Sequence, residues 1–228
     1  MTRQRFPGYD VLAKRDTPSW DAPTRAVIDE RLATANTPRW LGPSAWRALV
    51  ALCECIVPQD RDAEAVAAQD ANGARFVPVA ALVDGKLLAD HRDGFRDSRL
   101  PPLREAWRIG LAALDAESET RHRKPFADLA RAQQHDLVSM MQQGALRARA
   151  WHGMPSDVFF AKRAAHDICA AFYSHPASWS ALGFGGPANP RGYVRLVEDR
   201  RDPWEAAEAR DDSDAAQRAA WRANTRMR

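Results

Sequence analysis

The stretch Ser44-Ala45-Trp46-Arg47-Ala48-Leu49-Val50-Ala51-Leu52-Cys53-Glu54-Cys55-Ile56-Val57-Pro58 sets the fold class. Trp46, Leu49, Val50, Cys53, Ile56 and Val57 follow one another at steps of 3, 1, 3, 3 and 1. Those steps place them on one face of a helix with 3.6 residues per turn. Ser44 is positioned to cap this helix and Pro58 to stop it. A buried stripe of this kind requires partner surfaces, and further helices are the natural source.

Working outward, the same period recurs. Val27, Ile28 and Leu32 predict a short helix over 24–33, before the breaks at Pro38 and Pro43. Residues 59–75 are polar and read as a loop. Val79, Leu82, Val83 and Leu87 predict a helix over 77–89, which Gly85 weakens by about 1 kcal/mol relative to alanine. After a charged segment over 90–101, Leu103, Trp107, Leu111 and Leu114 run at steps of 4, 4 and 3. Phe126, Leu129, Gln133, Leu137, Met140 and Met141 predict the next helix. Ser156 or Asp157 is placed to cap a long one, with Phe160, Ala164, Ile168, Ala171 and Phe172 inward and His175-Pro176 at its end. Apolar and polar residues alternate over five positions only around Tyr193 to Val197. The expected fold is therefore all-α, an irregular bundle of five or six helices. An extended N-terminal arm over 1–21 precedes a single helical domain over 22–197. The segment 176–197 is rich in glycine and proline. The charged tail over 198–228 reads as mobile or partner-dependent, with one short helix over 215–223 that has little to bury.

Composition bounds the function. With 45% hydrophobic and 28% charged residues among 228, the chain is globular. Its 33 basic residues are interspersed with 30 acidic ones, for a net charge of +3. This leaves no basic footprint for nucleic acid. Cys53, Cys55 and Cys169 make neither a disulfide framework nor a zinc site. No apolar run approaches the ~18 residues of a membrane span. The basic N-terminus lacks an apolar region behind it, so a soluble chain made in the cytoplasm is expected.

Catalytic motifs are sparse. Gly183-x-Gly185-Gly186 lacks the spacing of a dinucleotide loop and reads as a tight turn. The pairs Asp90-His91, His135-Asp136 and His166-Asp167 are adjacent in sequence. Adjacent side chains on a helix point about 100° apart, so such a pair is not expected to clasp one ion, and a polar helix face or a buried hydrogen bond is the expected role of His166-Asp167. His166, Asp167 and Cys169 nevertheless form the best candidate for an activity or metal of the chain's own. Of the eight tryptophans, Trp20, Trp40, Trp151, Trp179 and Trp204 fall in loops or at element ends. Some of these should cover a neighbouring surface, either this chain's own or a partner's. Arg201 and Trp204, in Arg200-Arg201-Asp202-Pro203-Trp204, combine charge with an aromatic ring as docking segments do.

Three stretches taken in order carry a resemblance. The first is Ala45-Trp46-Arg47-Ala48-Leu49 with Cys55-Ile56-Val57-Pro58-Gln59-Asp60, and the second is Trp107-Arg108-Ile109-Gly110-Leu111. The third combines Phe159-Phe160, His166-Asp167-Ile168 and Phe172-Tyr173-Ser174-His175-Pro176 with Gly183-Phe184-Gly185-Gly186-Pro187-Ala188-Asn189-Pro190-Arg191-Gly192-Tyr193. The set, over about 40–197, resembles the gluconate 2-dehydrogenase small subunit family, also called subunit 3. The resemblance implies a non-catalytic helical accessory subunit with no cofactor of its own. Its partner would be a flavoprotein large subunit of the glucose-methanol-choline type. FAD would sit on that subunit, which oxidises sugars, sugar acids or polyols and passes electrons in many cases to a cytochrome c. The resemblance makes Gly185, Gly186, Asn189, Arg191 and Tyr193 candidate contacts with the large subunit, and Trp20, Trp151, Arg201 and Trp204 join them. The chain departs from the family pattern at 61–75 and in lacking a twin-arginine signal. It would therefore reach the periplasm only when carried by an exported partner.

Overall fold

Each apolar stripe is met by another helix or by an irregular segment of the chain itself. The computed structural model describes residues 4–59, 76–189, 192 and 205–226. The described residues are all-α, with no sheet; a single parallel bridge joins Trp20 and Asn189. Eight helices of seven residues or more are present among them, rather than five or six. The chain gathers into two compact units. One holds residues 1–34, 60–77 and 173–228, and the other holds 35–59 and 78–172.

The second unit contains α2 (Pro43–Ile56), α3 (Val79–Ala89), α4 (Leu103–His122), α5 (Arg131–Gln142), α6 (Ser156–Phe159) and most of α7 (Ala165–Tyr173). Of the expected stripe on α2, Leu49 and Cys53 are buried, joined by Ala48 and Leu52, while Trp46, Val50, Ile56 and Val57 are half-buried. Gly42 and Pro43, not Ser44, begin this helix, and the Ser44 hydroxyl donates to Asp115 at 3.3 Å instead. Proline at the first helical position is preorganised for that role and loses no needed N–H. Burial pushes the Cys53 thiol up, and that of Cys55 up to about 11, which leaves both protonated and unreactive at neutral pH.

Helix α4 is the axis of this unit, burying Trp107, Leu111 and Leu114 on one side. At Gly110 a side chain would meet the Phe159 ring, with Cε2 at 2.6 Å. The glycine therefore lets Phe159 pack edge-on against Trp107, with centroids 5.4 Å apart. Two local expectations fail here for identifiable reasons. Phe126 and Leu129 are buried but lie outside α5: Phe126–Asp128 is a 3-10 turn and Leu129 is extended. Both side chains reach the core without a helix because Asp115 and Gln134 bond the turn's backbone. The long C-terminal helix is likewise interrupted. Residues Phe160–Ala164 form a π turn between α6 and α7. The extra residue moves Phe159, rather than Phe160, into the core while keeping Ala164 and Ile168 there.

The first unit contains α1 (Ala22–Leu32), α8 (Pro176–Leu182), α9 (Asp214–Thr225) and a 3-10 turn at Val11–Lys14. Its core is Tyr9, Val11, Trp20, Ile28, Trp179 and Ala206, with Phe6, Leu12 and Leu32 packed against it. The aromatic residues of the arm thus lie on this chain's own surface. Helix α9 is capped by Ser213 and buries Ala220 and Asn224. Asn224 is a polar tie: its amide donates to Pro7 O at 2.9 Å and Ala207 O at 3.0 Å, and its oxygen accepts from Ala207 N at 2.7 Å. Hydrogen bonding therefore holds the C-terminal helix to the arm, together with the Trp221 ring over Gly8 and the buried Ala220. The loop expected at 59–75 and the alternation at Tyr193 to Val197 fall outside the described residues, apart from Gln59.

Candidate functional site

Within the second unit, charged groups from three segments converge around the buried carboxylate of Asp167, with Lys86, Asp93 and His166 partly exposed. Lys86 on α3 reaches Asp93 in the following loop at 2.7 Å and Asp167 on α7 at 2.9 Å. Arg163, in the π turn, donates to Asp93 at 2.6 Å. Asp167 has a fully buried side chain and also accepts from Trp107 Nε1 at 2.8 Å. His166 Nδ1 lies 3.1 Å from the same carboxylate. The two carboxylates are thus matched by one ammonium and one guanidinium.

The charges hold one another in place. Partial burial alone would raise the Asp93 carboxyl, but Lys86 and Arg163 outweigh it and hold it below the usual carboxylate range. Burial alone would lower Lys86, and its two carboxylate partners reverse that. Asp93, His166 and Asp167 present ligand atoms within 4.8 Å of one another, a spacing compatible with a metal ion. The Lys86 ammonium, however, already bridges the two carboxylates. A divalent ion would have to displace it. Neighbouring residues His166 and Asp167 meet in a hydrogen bond, on the buried carboxylate of Asp167 and the half-exposed ring of His166. The sequence reading missed Lys86, Asp93 and Arg163. The available signal was an aspartate at 167, on the buried stripe between Ala164 and Ile168, with a basic residue four positions earlier at 163.

The glycine-rich segment belongs to the first unit. Helix α8 begins at His175, whose Nδ1 accepts from Ala177 N at 3.2 Å while Nε2 faces Arg31 O at 3.0 Å. A neutral ring with its proton on Nε2 satisfies both contacts. Burial, against the Arg31 hydrogen bond, holds this imidazole below its ordinary value. The cap therefore stabilises fully above about pH 6.5 and weakens as the pH falls toward the lowered folded value, since the unfolded chain takes the proton first. A His175→Asn variant keeps a capping oxygen without the titration. Its melting temperature is expected to fall less than that of the parent between pH 7 and pH 5; equal slopes would exclude His175 as the cause.

Beyond α8 the chain turns through Gly183 and Gly186, both with positive φ. The Gly185 carbonyl accepts from Lys14 Nζ. Asn189 pairs with the arm: Asp21 N donates to Asn189 O at 2.9 Å, Asn189 N donates to Ser19 O at 2.9 Å, and its side chain donates to Asp21 at 2.9 Å. A side chain at Gly186 would lie 3.0 Å from Trp179 and 3.2 Å from Trp20, at φ +67°. Gly186→Ala is expected to destabilise this unit by about 1–3 kcal/mol, from left-handed strain and crowding together, measured as a shift in denaturant midpoint.

The expected partner contacts separate into three groups. Trp20 is 1% exposed and Trp151 is 3% exposed. Trp20 Nε1 donates to Pro187 O at 2.6 Å, and Trp151 packs edge-on against Phe159 at 5.9 Å. Their rings are enclosed by their own units and offer no face to a partner. Gly185, Gly186 and Asn189 lie on one ordered segment, with Asn189 exposed. Arg191, Tyr193, Arg201 and Trp204 lie outside the described residues. Of the other loop tryptophans, Trp179 is buried, and Trp40 lies under the guanidinium groups of Arg104 and Arg108, at 5.7 and 4.9 Å.

A model of the gluconate 2-dehydrogenase subunit 3 family matches residues 43–186, well over half of the chain. The chain belongs to that family. The matched region opens at the first residue of α2 and closes on Gly186, so this subunit 3 chain carries its charged cluster and its glycine turn inside the family's span. Residues before Pro43, and helix α9, lie outside it. No curated protein and no solved structure matches the chain. Among the described residues, no helix is long and apolar enough to cross a membrane. The family match supports a small accessory role in a dehydrogenase-type complex.

Proposed function

We propose that this chain is a non-catalytic accessory subunit. It binds an FAD-dependent dehydrogenase of the glucose-methanol-choline type and supports that subunit's folding and maturation. The substrate class is sugars, sugar acids or polyols, the flavin sits on the partner, and a cytochrome c is a candidate third member. The family match over residues 43–186 carries this reading. The cluster chemistry agrees with it, because Asp167, the most enclosed acid of the cluster, is occupied by Lys86, Trp107 and His166 and is not open to a substrate. On this reading the contact surface includes Gly185 and Asn189, with Gly186 buried beneath them as the turn that shapes the segment, and Arg191, Tyr193, Arg201 and Trp204 are further candidates along the sequence.

The test is co-expression with the flavoprotein encoded beside this chain, followed by size-exclusion chromatography and a flavin absorbance scan. Co-elution is expected, with a soluble, FAD-loaded large subunit only when this chain is present. Separate elution, with the flavoprotein active alone, would overturn the proposal. The rival reading is a metal-dependent or autonomous enzyme built on His166, Asp167 and Cys169; His166 and Asp167 share the 4.8 Å ligand spacing with Asp93, and Cys169 is not part of that group. It requires stoichiometric metal or turnover in the isolated chain; elemental analysis decides the first, and alanine changes at His166, Asp167 and Cys169 that leave function intact would dispose of the second.

A further inference from the structure

The loop between α3 and α4 presents the most exposed large hydrophobic side chain among the described residues. Phe95 is 84% exposed. Such a ring on a slack loop would fold back onto the nearest apolar surface, because burial of a phenylalanine side chain is favourable. This loop is not slack. Asp93, two residues before, is gripped by Lys86 and Arg163 at 2.7 and 2.6 Å. One residue after Phe95, the Arg96 guanidinium donates to Leu100 O. Asp97 accepts from Arg99 N and Nε, both at 3.0 Å, and Leu100 is buried. Phe95 therefore stands between two anchored points, beside a glycine at 94 whose Cβ position meets only open space.

That arrangement gives the ion pairs a purpose, Arg163 being buried and Lys86 and Asp93 partly so. Burying ion pairs contributes little net stability, but it can fix one conformation over others. Here the fixed conformation is one that displays an aromatic ring. A ring held in place before binding loses little further freedom on docking, which is the condition for an effective anchor. The neighbouring charges indicate what receives it. Arg92 is paired with Asp90, and Arg99 with Asp97. Arg96 is exposed and has no carboxylate partner among the described residues.

We propose that Phe95 is a pre-positioned anchor that inserts into an apolar pocket of the dehydrogenase large subunit, while Arg96 meets a carboxylate at the pocket rim. This rests on the accessory-subunit reading and adds a place of contact in the second unit. Asp93, Lys86 and Arg163 act as positioning residues for it.

The experiment compares binding of the full chain and two variants to the purified flavoprotein by biolayer interferometry, with thermal melts as a control. Phe95→Ala is expected to weaken binding at least 10-fold while leaving the melting temperature unchanged, since the ring touches little in the free chain. Arg96→Glu is expected to weaken binding by a similar factor and to flatten its dependence on salt. If the parent binds and both variants bind within twofold of it, the anchor is overturned and the accessory reading survives. If the parent itself does not bind, the accessory reading falls and takes the anchor with it.

Discussion

Replacing Asp84 by alanine is expected to lower the stability of the second unit by about 3–5 kcal/mol. Asp84 sits on α3 with no exposed surface. Its carboxylate accepts from three consecutive backbone N–H groups. Oδ2 takes Arg39 N at 2.7 Å and Trp40 N at 3.1 Å, and Oδ1 takes Leu41 N at 2.8 Å. This is a backbone nest closed by one anion, and it fixes the approach of the chain to Pro43 and α2. Alanine would leave three donors unpaired, each costing about 1–3 kcal/mol where water cannot follow. Calorimetry should show a fall of about 10 °C or more in the transition that contains this unit. Asp84→Asn keeps one oxygen acceptor and should lose about half as much. A melt within about 2 °C of the parent for the alanine variant would mean that water replaces the carboxylate.

Asp167→Ala should be nearly as costly, at about 3–5 kcal/mol. It strands the Lys86 ammonium on one side and leaves Trp107 Nε1 without an acceptor. Replacing both partners, as in Lys86→Met with Asp167→Leu, should recover much of the loss, because no charge is then left without its mate. Denaturant midpoints at constant m-value make the comparison. A double variant no better than Asp167→Ala alone would show that the Trp107 bond, not the ion pair, dominates. The Asp93 part of the network has an acid limit. Its folded carboxyl is held below the ordinary value, so its stabilisation is complete above about pH 4 and is lost as the pH falls through the folded value.

The helices that could be read from sequence are those whose apolar stripe is long and unbroken. On α2 and α4, Leu49, Leu111 and Leu114 fall where the period puts them. Helix α8 escaped because seven residues between His175-Pro176 and Gly183 are too few to show a period. Helix α9 escaped as a packed element because its decisive contact is the amide of Asn224, which periodicity does not register. Phe126 and Leu129 misled in the opposite direction, since apolar side chains on a 3-10 turn can continue a helical stripe by coincidence. The charged cluster was legible only at His166 and Asp167, for a different reason. Its members lie on α3, on a loop and across the π turn, and only tertiary packing brings positions 86, 93, 163 and 167 together. Val27, read as part of a buried face, is about half exposed, and only Ile28 beside it is buried.

The π turn at Phe160–Ala164 also fixes how this stretch can tolerate length change. A regular helix advances 100° per residue, so the added residue acts as a phase shift between two separately tuned halves. Upstream, the phase is set by Phe159 against Trp107 and Gly110. Downstream, it is set by Asp167 toward Lys86. Deleting one residue here would give a better helix and a worse protein. Either Phe159 or Asp167 would swing a quarter-turn out of its site. In related chains, insertions and deletions are therefore expected to spare this turn and to accumulate in loops where no phase is carried.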